Sequence, residues 1–367
     1  MSFSLSWLKV EEGLGGIRHV LRGDAEEMAS QLAGLQALLA PTDPQPYNTV
    51  STKDNTYEGT KYRIYTPHRE TNAQGRLPIG VFFHGGGFVL GDLEAEDGLC
   101  RAIAQNANTL IISVNYRKAP AHKSPAQLQD ALKMFQWAYH NATALGGEPN
   151  KLYVIGTSAG GALAFSVARK VALGSAELPK DAVKGIIAFS PVMFHPDNVP
   201  ERYSSQHTAF KDNEKDTPII DVASLMSFFK ACNAKADDAD YFVGLDQASH
   251  GLFPTTYIVT CGLDPLRDDG KIVAGSMKSQ GVQVRSDHYG GLPHCFWMFP
   301  TLPETREFLR NAFSGVKWVL ENIKQTDVVI RRVEKSETGT NIVFILHFKI
   351  SLKMCDVSAT HHPSRVT

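Results

Sequence analysis

Five short apolar runs, each leading through a turn into an amphipathic stretch, constrain this chain more than any other feature. They lie at 79–83, 108–116, 151–155, 185–190 and 255–261, and they are continuous rather than alternating. A continuous run with β-branched residues suits a strand buried on both faces, as in a parallel sheet. Between the runs the period changes. Leu128, Ala131, Leu132, Phe135 and Tyr139 recur at helical spacing, as do Leu309, Ala312, Phe313, Val316 and Leu320. Strands alternating with helices predict an α/β fold, with a mostly parallel central sheet flanked by helices.

Two stretches stand outside that alternation. Residues 24–40 read as a separate amphipathic helix: Asp24 and Glu27 make a capping-box pair, and Met28, Leu32, Leu35 and Leu39 share one face. Residues 193–250 form a long connection between two strands, with Pro196, Pro200 and Pro218 and a helix expected near 221–232. So long a connection is usually functional, as a lid is. The expected organisation is an N-terminal cap segment at 1–48, a core at 49–192 and 251–325, and a cap insertion at 193–250. The last sheet helix should end near Ile323. Residues 326–367 read as an appendage, open to disorder and without a functional claim, in which Asn341–Leu346 has the composition of a strand.

Composition removes several classes of function. The chain has 367 residues, 43% of them apolar, enough for a large core. Lys and Arg number 37 against 38 Asp and Glu, a net charge of −1, so there is no basic excess for a nucleic-acid partner. No run of 18 apolar residues predicts a membrane span. The residues from Met1 to Trp7 do not read as a secretory signal. Cys100, Cys232, Cys261, Cys295 and Cys355 are scattered and never form a Cys-x-x-Cys pair. They suggest a reducing, cytoplasmic setting with no disulfide framework and no zinc site.

The sharpest chemical signal is Gly156-Thr157-Ser158-Ala159-Gly160-Gly161, between the strand Lys151–Ile155 and a helix-like run from Ala162. Gly-x-Ser-x-Gly in that setting is a nucleophile elbow: the turn is too tight for side chains on its flanks, and it lifts the serine hydroxyl above the sheet. The helix N-terminus behind it favours developing negative charge. A second signal, His84-Gly85-Gly86-Gly87-Phe88, follows the strand 79–83. Three successive glycines cost backbone entropy, and presenting bare N–H groups to an oxyanion would account for them. His84 itself reads as a residue that shapes this loop rather than as the base.

A serine hydroxyl needs a base. Of 13 histidines, His294 in Gly290-Gly291-Leu292-Pro293-His294 lies after the strand near 282–288 and before the final helix, last in the order serine, acid, histidine. His288 is the rival, inside the strand-like run. The acid should follow the strand 255–263. Asp264 stands at its tip, with Asp268 second, because Asp268 and Asp269 open the next helix and have work there as capping residues or dipole partners.

Taken together, His84-Gly85-Gly86-Gly87, Gly156–Gly161, Asp264-Pro265-Leu266-Arg267-Asp268 and His294 resemble the hormone-sensitive-lipase-like family of serine esterases over residues 25–325. The resemblance implies an α/β-hydrolase fold with a helical cap, Ser158 as nucleophile, Asp264 as acid and His294 as base. It implies an oxyanion hole drawn from the N–H groups of Gly85, Gly86, Gly87 and Ala159, with Gly85 the weakest of the four. Two positions depart from the family. Thr157 stands where an Asp is common, which resembles a Gly-Thr-Ser-Ala-Gly branch, and Ala121 stands where an acidic residue is common.

The expected activity is hydrolysis of short- to medium-chain carboxylic esters through an acyl-enzyme, with no metal or organic cofactor and a small-molecule ester as partner. A lactone hydrolase or acyltransferase of a biosynthetic route would use the same residues. A non-catalytic small-ligand receptor of the same fold is the other alternative, although the receptors that the resemblance brings in lack the histidine and His294 is present here. Phe88, Phe210, Phe228, Phe229 and Trp297 are candidates to line an apolar pocket.

Overall fold

The computed structural model describes residues 2–40, 48–69, 75–323, 330–335 and 341–346. In chain order the elements begin with α1 (Leu5–Gly13), α2 (Ala25–Leu39), β1 (Val50–Tyr57), β2 (Thr60–Pro67), β3 (Leu77–Phe83), α3 (Asp97–Ala107) and β4 (Leu110–Asn115). There follow α4 (Ala126–Asn141), β5 (Gly147–Thr157), α5 (Ala159–Ala172), β6 (Ile186–Phe189), α6 (Ala209–Asp212) and α7 (Val222–Cys232). The unit is completed by β7 (Thr256–Leu263), α8 (Arg267–Ser279), β8 (Val284–Pro293) and α9 (Pro303–Glu321). A separate unit, 324–367, contributes β9 (Ile330–Lys335) and β10 (Asn341–Leu346), paired antiparallel. The expectation of disorder there falls mostly outside the described residues.

One eight-stranded sheet has the order β1-β2-β4-β3-β5-β6-β7-β8. From β4 to β8 neighbouring strands are parallel, and only the β1–β2–β4 edge is antiparallel. The five apolar runs became β3 to β7, and β7 is buried along its whole length. The β1–β2 hairpin was not foreseen. Its sequence is polar because most of β1 faces solvent, so it lacks the apolar signature of the inner strands. β8 also runs further than expected, to Pro293, after a register break between Cys261 and Leu263 on β7. His294 therefore follows the strand directly.

The helix expected over 24–40 is α2, and its capping box forms as read. Met28, Leu35 and Leu39 are buried and Leu32 is partly so. α7 starts after Asp221, which caps it through the Ser224 N–H. α9 ends at Glu321. The N-terminal segment and the 193–250 connection pack on each other. Val20 bridges Ile219 in parallel, the Leu21 N–H donates to the Ile219 carbonyl (2.9 Å), and Arg22 grips Asp221 with both terminal nitrogens. α1, which was not anticipated, is capped by the Ser4 hydroxyl. It lies against the end of β8 and the segment that follows it: the Ser4 N–H donates to the Gly291 carbonyl at 2.9 Å, and Trp7 meets Phe299 edge-on at 4.9 Å.

Among the described residues no helix is long and apolar enough to cross a membrane, and no group of three or more His, Cys, Asp or Glu residues is placed to hold a metal.

Candidate active site

Ser158 occupies a sharp corner between β5 and α5, with φ at +55°, a conformation that side chains resist. The corner closes because its glycines let backbones touch. A Cβ on Gly160 would lie 1.9 Å from the Phe83 carbonyl oxygen, and one on Gly156 2.2 Å from the Gly160 oxygen. The Ser158 N–H donates to the Phe189 carbonyl at 2.8 Å, which ties the corner to β6.

From the other end of the sheet the turn after β8 brings His294 to this corner. The Ser158 hydroxyl donates to His294 Nε2 at 3.0 Å, and His294 Nδ1–H donates to Asp264 Oδ2 at 2.8 Å. All three residues are buried. The other oxygen of Asp264 accepts the Leu266 N–H at 2.8 Å, and Asn213 of the long connection donates to the Asp264 carbonyl at 3.0 Å. Three side chains remote in sequence thus form one hydrogen-bonded line. Such a line can carry a proton from the hydroxyl to the imidazole and stabilise the resulting charge.

The Gly-rich loop after β3 lies beside the same corner. Gly86 and Gly87 have φ of +109° and +62°. Among the described residues, the N–H groups of Gly86, Gly87 and Ala159 have no acceptor outside regular secondary structure. Ala159 is the first residue of α5, where a helix leaves its N–H unpaired. Gly85 is different and leaves the expected donor set, because its N–H is committed to Glu96 Oε2 at 2.9 Å. The Phe228 ring of α7 lies on Gly87, so close that a Cβ there would sit 2.3 Å from the ring.

The rivals are placed elsewhere. His84 Nδ1–H donates to the Gly85 carbonyl at 2.7 Å and its ring stacks on Tyr116 at 4.2 Å. Burial holds its basicity down to a pKa of about 4, as expected of a loop-shaping residue. His288 is exposed and bonds Thr260. Asp268 and Asp269 do not cap their own helix. Asp268 accepts the N–H groups of Thr208 and Ala209, while Asp269 accepts those of Met193 and Phe194 and meets His207 Nε2 at 2.7 Å. Both fasten the long connection to α8. Of the aromatic candidates, Phe228 reaches the Gly-rich loop. Phe88 packs edge-on to Tyr241, Phe229 on Phe242, Phe210 on His207, and Trp297 stacks on Phe308. The residue beside the site that sequence reading missed is Glu96, which no motif marks.

Comparison with known proteins identifies the family. A family model described as alpha/beta hydrolase fold matches residues 80–298. A versiconal hemiacetal acetate esterase of Dothistroma septosporum is 40% identical over 322 residues, covering 88% of this chain and 96% of its own. The carboxylesterase NlhH of Mycobacterium tuberculosis is 29% identical, covering 78% of this chain and 88% of its own. Among solved structures, a hyperthermophilic esterase from the archaeon Pyrobaculum calidifontis superposes with a TM-score of 0.74 at 27% identity, covering 87% of this chain and 99% of its own. The chain belongs to the hormone-sensitive-lipase-like family of the α/β-hydrolase fold, a family of carboxylic-ester hydrolases.

Proposed function

We propose that this enzyme hydrolyses small carboxylic esters through a two-step acyl transfer at Ser158. The observation that carries the reading is the unbroken line Ser158–His294–Asp264 beside the N–H groups of Gly86, Gly87 and Ala159. His294 Nε2 takes the hydroxyl proton as Ser158 Oγ attacks the ester carbonyl, and Asp264 favours the imidazolium so formed. The three N–H groups receive the oxyanion of the tetrahedral intermediate. The alcohol leaves with the proton from His294. Water, deprotonated by the same nitrogen, then releases the acid and restores the serine.

The 1–48 and 193–250 segments serve as a cap over the core of 49–192 and 251–325, a reading supported by Phe228 on Gly87 and the Arg22–Asp221 clasp. Buried, unpaired Cys100, Cys232 and Cys261 suit a reducing cytoplasm. The high identity to an acetate esterase along nearly its whole length favours a short acyl group on a larger alcohol, cleaved within a biosynthetic route. A lactone ring opened by the same attack is the competing substrate.

The test is turnover of p-nitrophenyl esters of increasing acyl length, beside an aryl acetate and a lactone, with Ser158→Ala as control. Activity highest on acetate, and lost by about 10⁴-fold or more in Ser158→Ala with the fold intact, is expected. Undiminished turnover in that variant would sink the assignment.

A further inference from the structure

Glu96 occupies a position where its side chain ought to do something else. It is the N-cap of α3, where a short polar side chain normally bends back onto the first free N–H groups of the helix. The Glu96 side chain makes no such bond. Its carboxylate turns toward the Gly-rich loop and accepts the Gly85 N–H at 2.9 Å. Gly85 is also the residue packed against the elbow: a Cβ there would meet Thr157 at 3.4 Å and Ser158 Cβ at 3.7 Å. The buried Thr157 hydroxyl, without an aligned partner among the described residues, lies near enough to the carboxyl to favour its charged form. One carboxyl therefore sits where the loop that offers N–H groups meets the turn that carries Ser158.

Its electrostatic neighbours come from the other parts of the site. His294 favours its ionised form. The Cys100 thiol of α3, the Tyr116 phenol after β4 and the Cys295 thiol beside His294 are each pushed further from ionising by its charge. Burial outweighs these influences and raises the carboxyl to about 7, so it titrates in the working range of an esterase.

Building on the ester-hydrolysis reading, we infer that Glu96 is a positioning residue of this site. It anchors the Gly85 peptide so that the next two N–H groups, of Gly86 and Gly87, face the developing oxyanion. The bond to the Gly85 N–H is strongest while the carboxyl carries its charge. A charge-assisted bond to a backbone N–H is a stiff anchor, and the three glycines have no side chains of their own, so Glu96 on the Gly85 N–H and His84 on the Gly85 carbonyl hold them. As the pH falls through about 7 the carboxyl gains a proton and its bond to Gly85 weakens.

The experiment compares Glu96→Gln and Glu96→Leu with the unaltered enzyme on p-nitrophenyl acetate, reading kcat and KM separately from acid to alkaline pH, with Ser158→Ala alongside. Glu96→Leu removes the acceptor and should lower kcat by about 10- to 100-fold while KM moves by less than about threefold, because donors are misaligned in the transition state rather than lost. Glu96→Gln keeps an oxygen for Gly85 and should recover most of kcat at alkaline pH. It should also move the acid limb of kcat/KM to lower pH, since a group that must ionise is gone. A merely structural glutamate would leave that limb in place. If Glu96→Leu does not fold, the limb in Glu96→Gln still decides. An unmoved limb, or Glu96→Leu with kcat within twofold of the parent, overturns the inference while an inert Ser158→Ala leaves the ester reading standing. Turnover surviving in Ser158→Ala overturns both.

Discussion

Gly87 shows how much of this site depends on a single missing methyl group. Its φ of +62° is one that other residues resist, and the Phe228 ring fills the space a side chain would need. Gly87→Ala is expected to displace either the loop or the ring and to lower kcat by about 10- to 100-fold on a short-chain ester. Adding Phe228→Ala should return part of that loss, because the collision is removed while the backbone penalty stays. A double-mutant cycle on kcat reads the coupling, and strict additivity would show that the two residues do not interfere. The glycines themselves were legible in the sequence, since three in succession call for a reason. Phe228 was only one of five aromatic candidates, because which ring reaches the loop depends on where α7 lies. Glu96 was invisible: a lone glutamate among acidic neighbours carries no local pattern, and its role comes from the direction its side chain takes away from the helix it begins.

The parallel strands β3 to β7 were readable because burial on both faces makes them continuously apolar, and the helices α2, α4, α7 and α9 because each buries one consistent face, which leaves its period in the residues. The β1–β2 hairpin and α1 were not. The first is a polar edge, and the second packs chiefly through Trp7. The Asp268–Asp269 pair does lie in the first turn of α8, where carboxylates suit the helix dipole, but it makes no capping bond there. At the start of α8 both carboxylates could serve their own N–H groups, but they reach instead to Thr208, Ala209, Met193 and Phe194. That bond set predicts a measurable cost. Asp269→Ala strips two buried N–H groups and the His207 imidazole of their partner at once, and should destabilise the fold by about 3–5 kcal/mol. Denaturant unfolding of the variant checks this, and a change below about 1 kcal/mol would mean that the long connection is held by its apolar contacts alone.

Across the whole molecule, the half-buried Glu96 carboxyl links stability to pH with a definite sign. Its acidity is weakened from an ordinary 4.5 to about 7 on folding, so the folded chain holds that proton more tightly than the unfolded one. Its contribution to stability is greatest below about pH 4.5, declines as the pH rises to about 7, and above that represents a penalty of at most about 3 kcal/mol. Glu96→Gln, which cannot ionise, should therefore gain stability over the parent at about pH 8 and lose that advantage near pH 5, as unfolding midpoints in urea would show.

The docking of α1 carries a consequence for how the protein is made. Ser6 bonds Glu304 across 298 positions, and Ser4 and Trp7 meet Gly291 and Phe299. During synthesis α1 has no resting place until residues 291–304 have left the ribosome, so Trp7 is kept from Phe299 while β1 to β8 are being made. The turn that carries His294 therefore gains the support of α1 only after every strand of the central sheet has been synthesised.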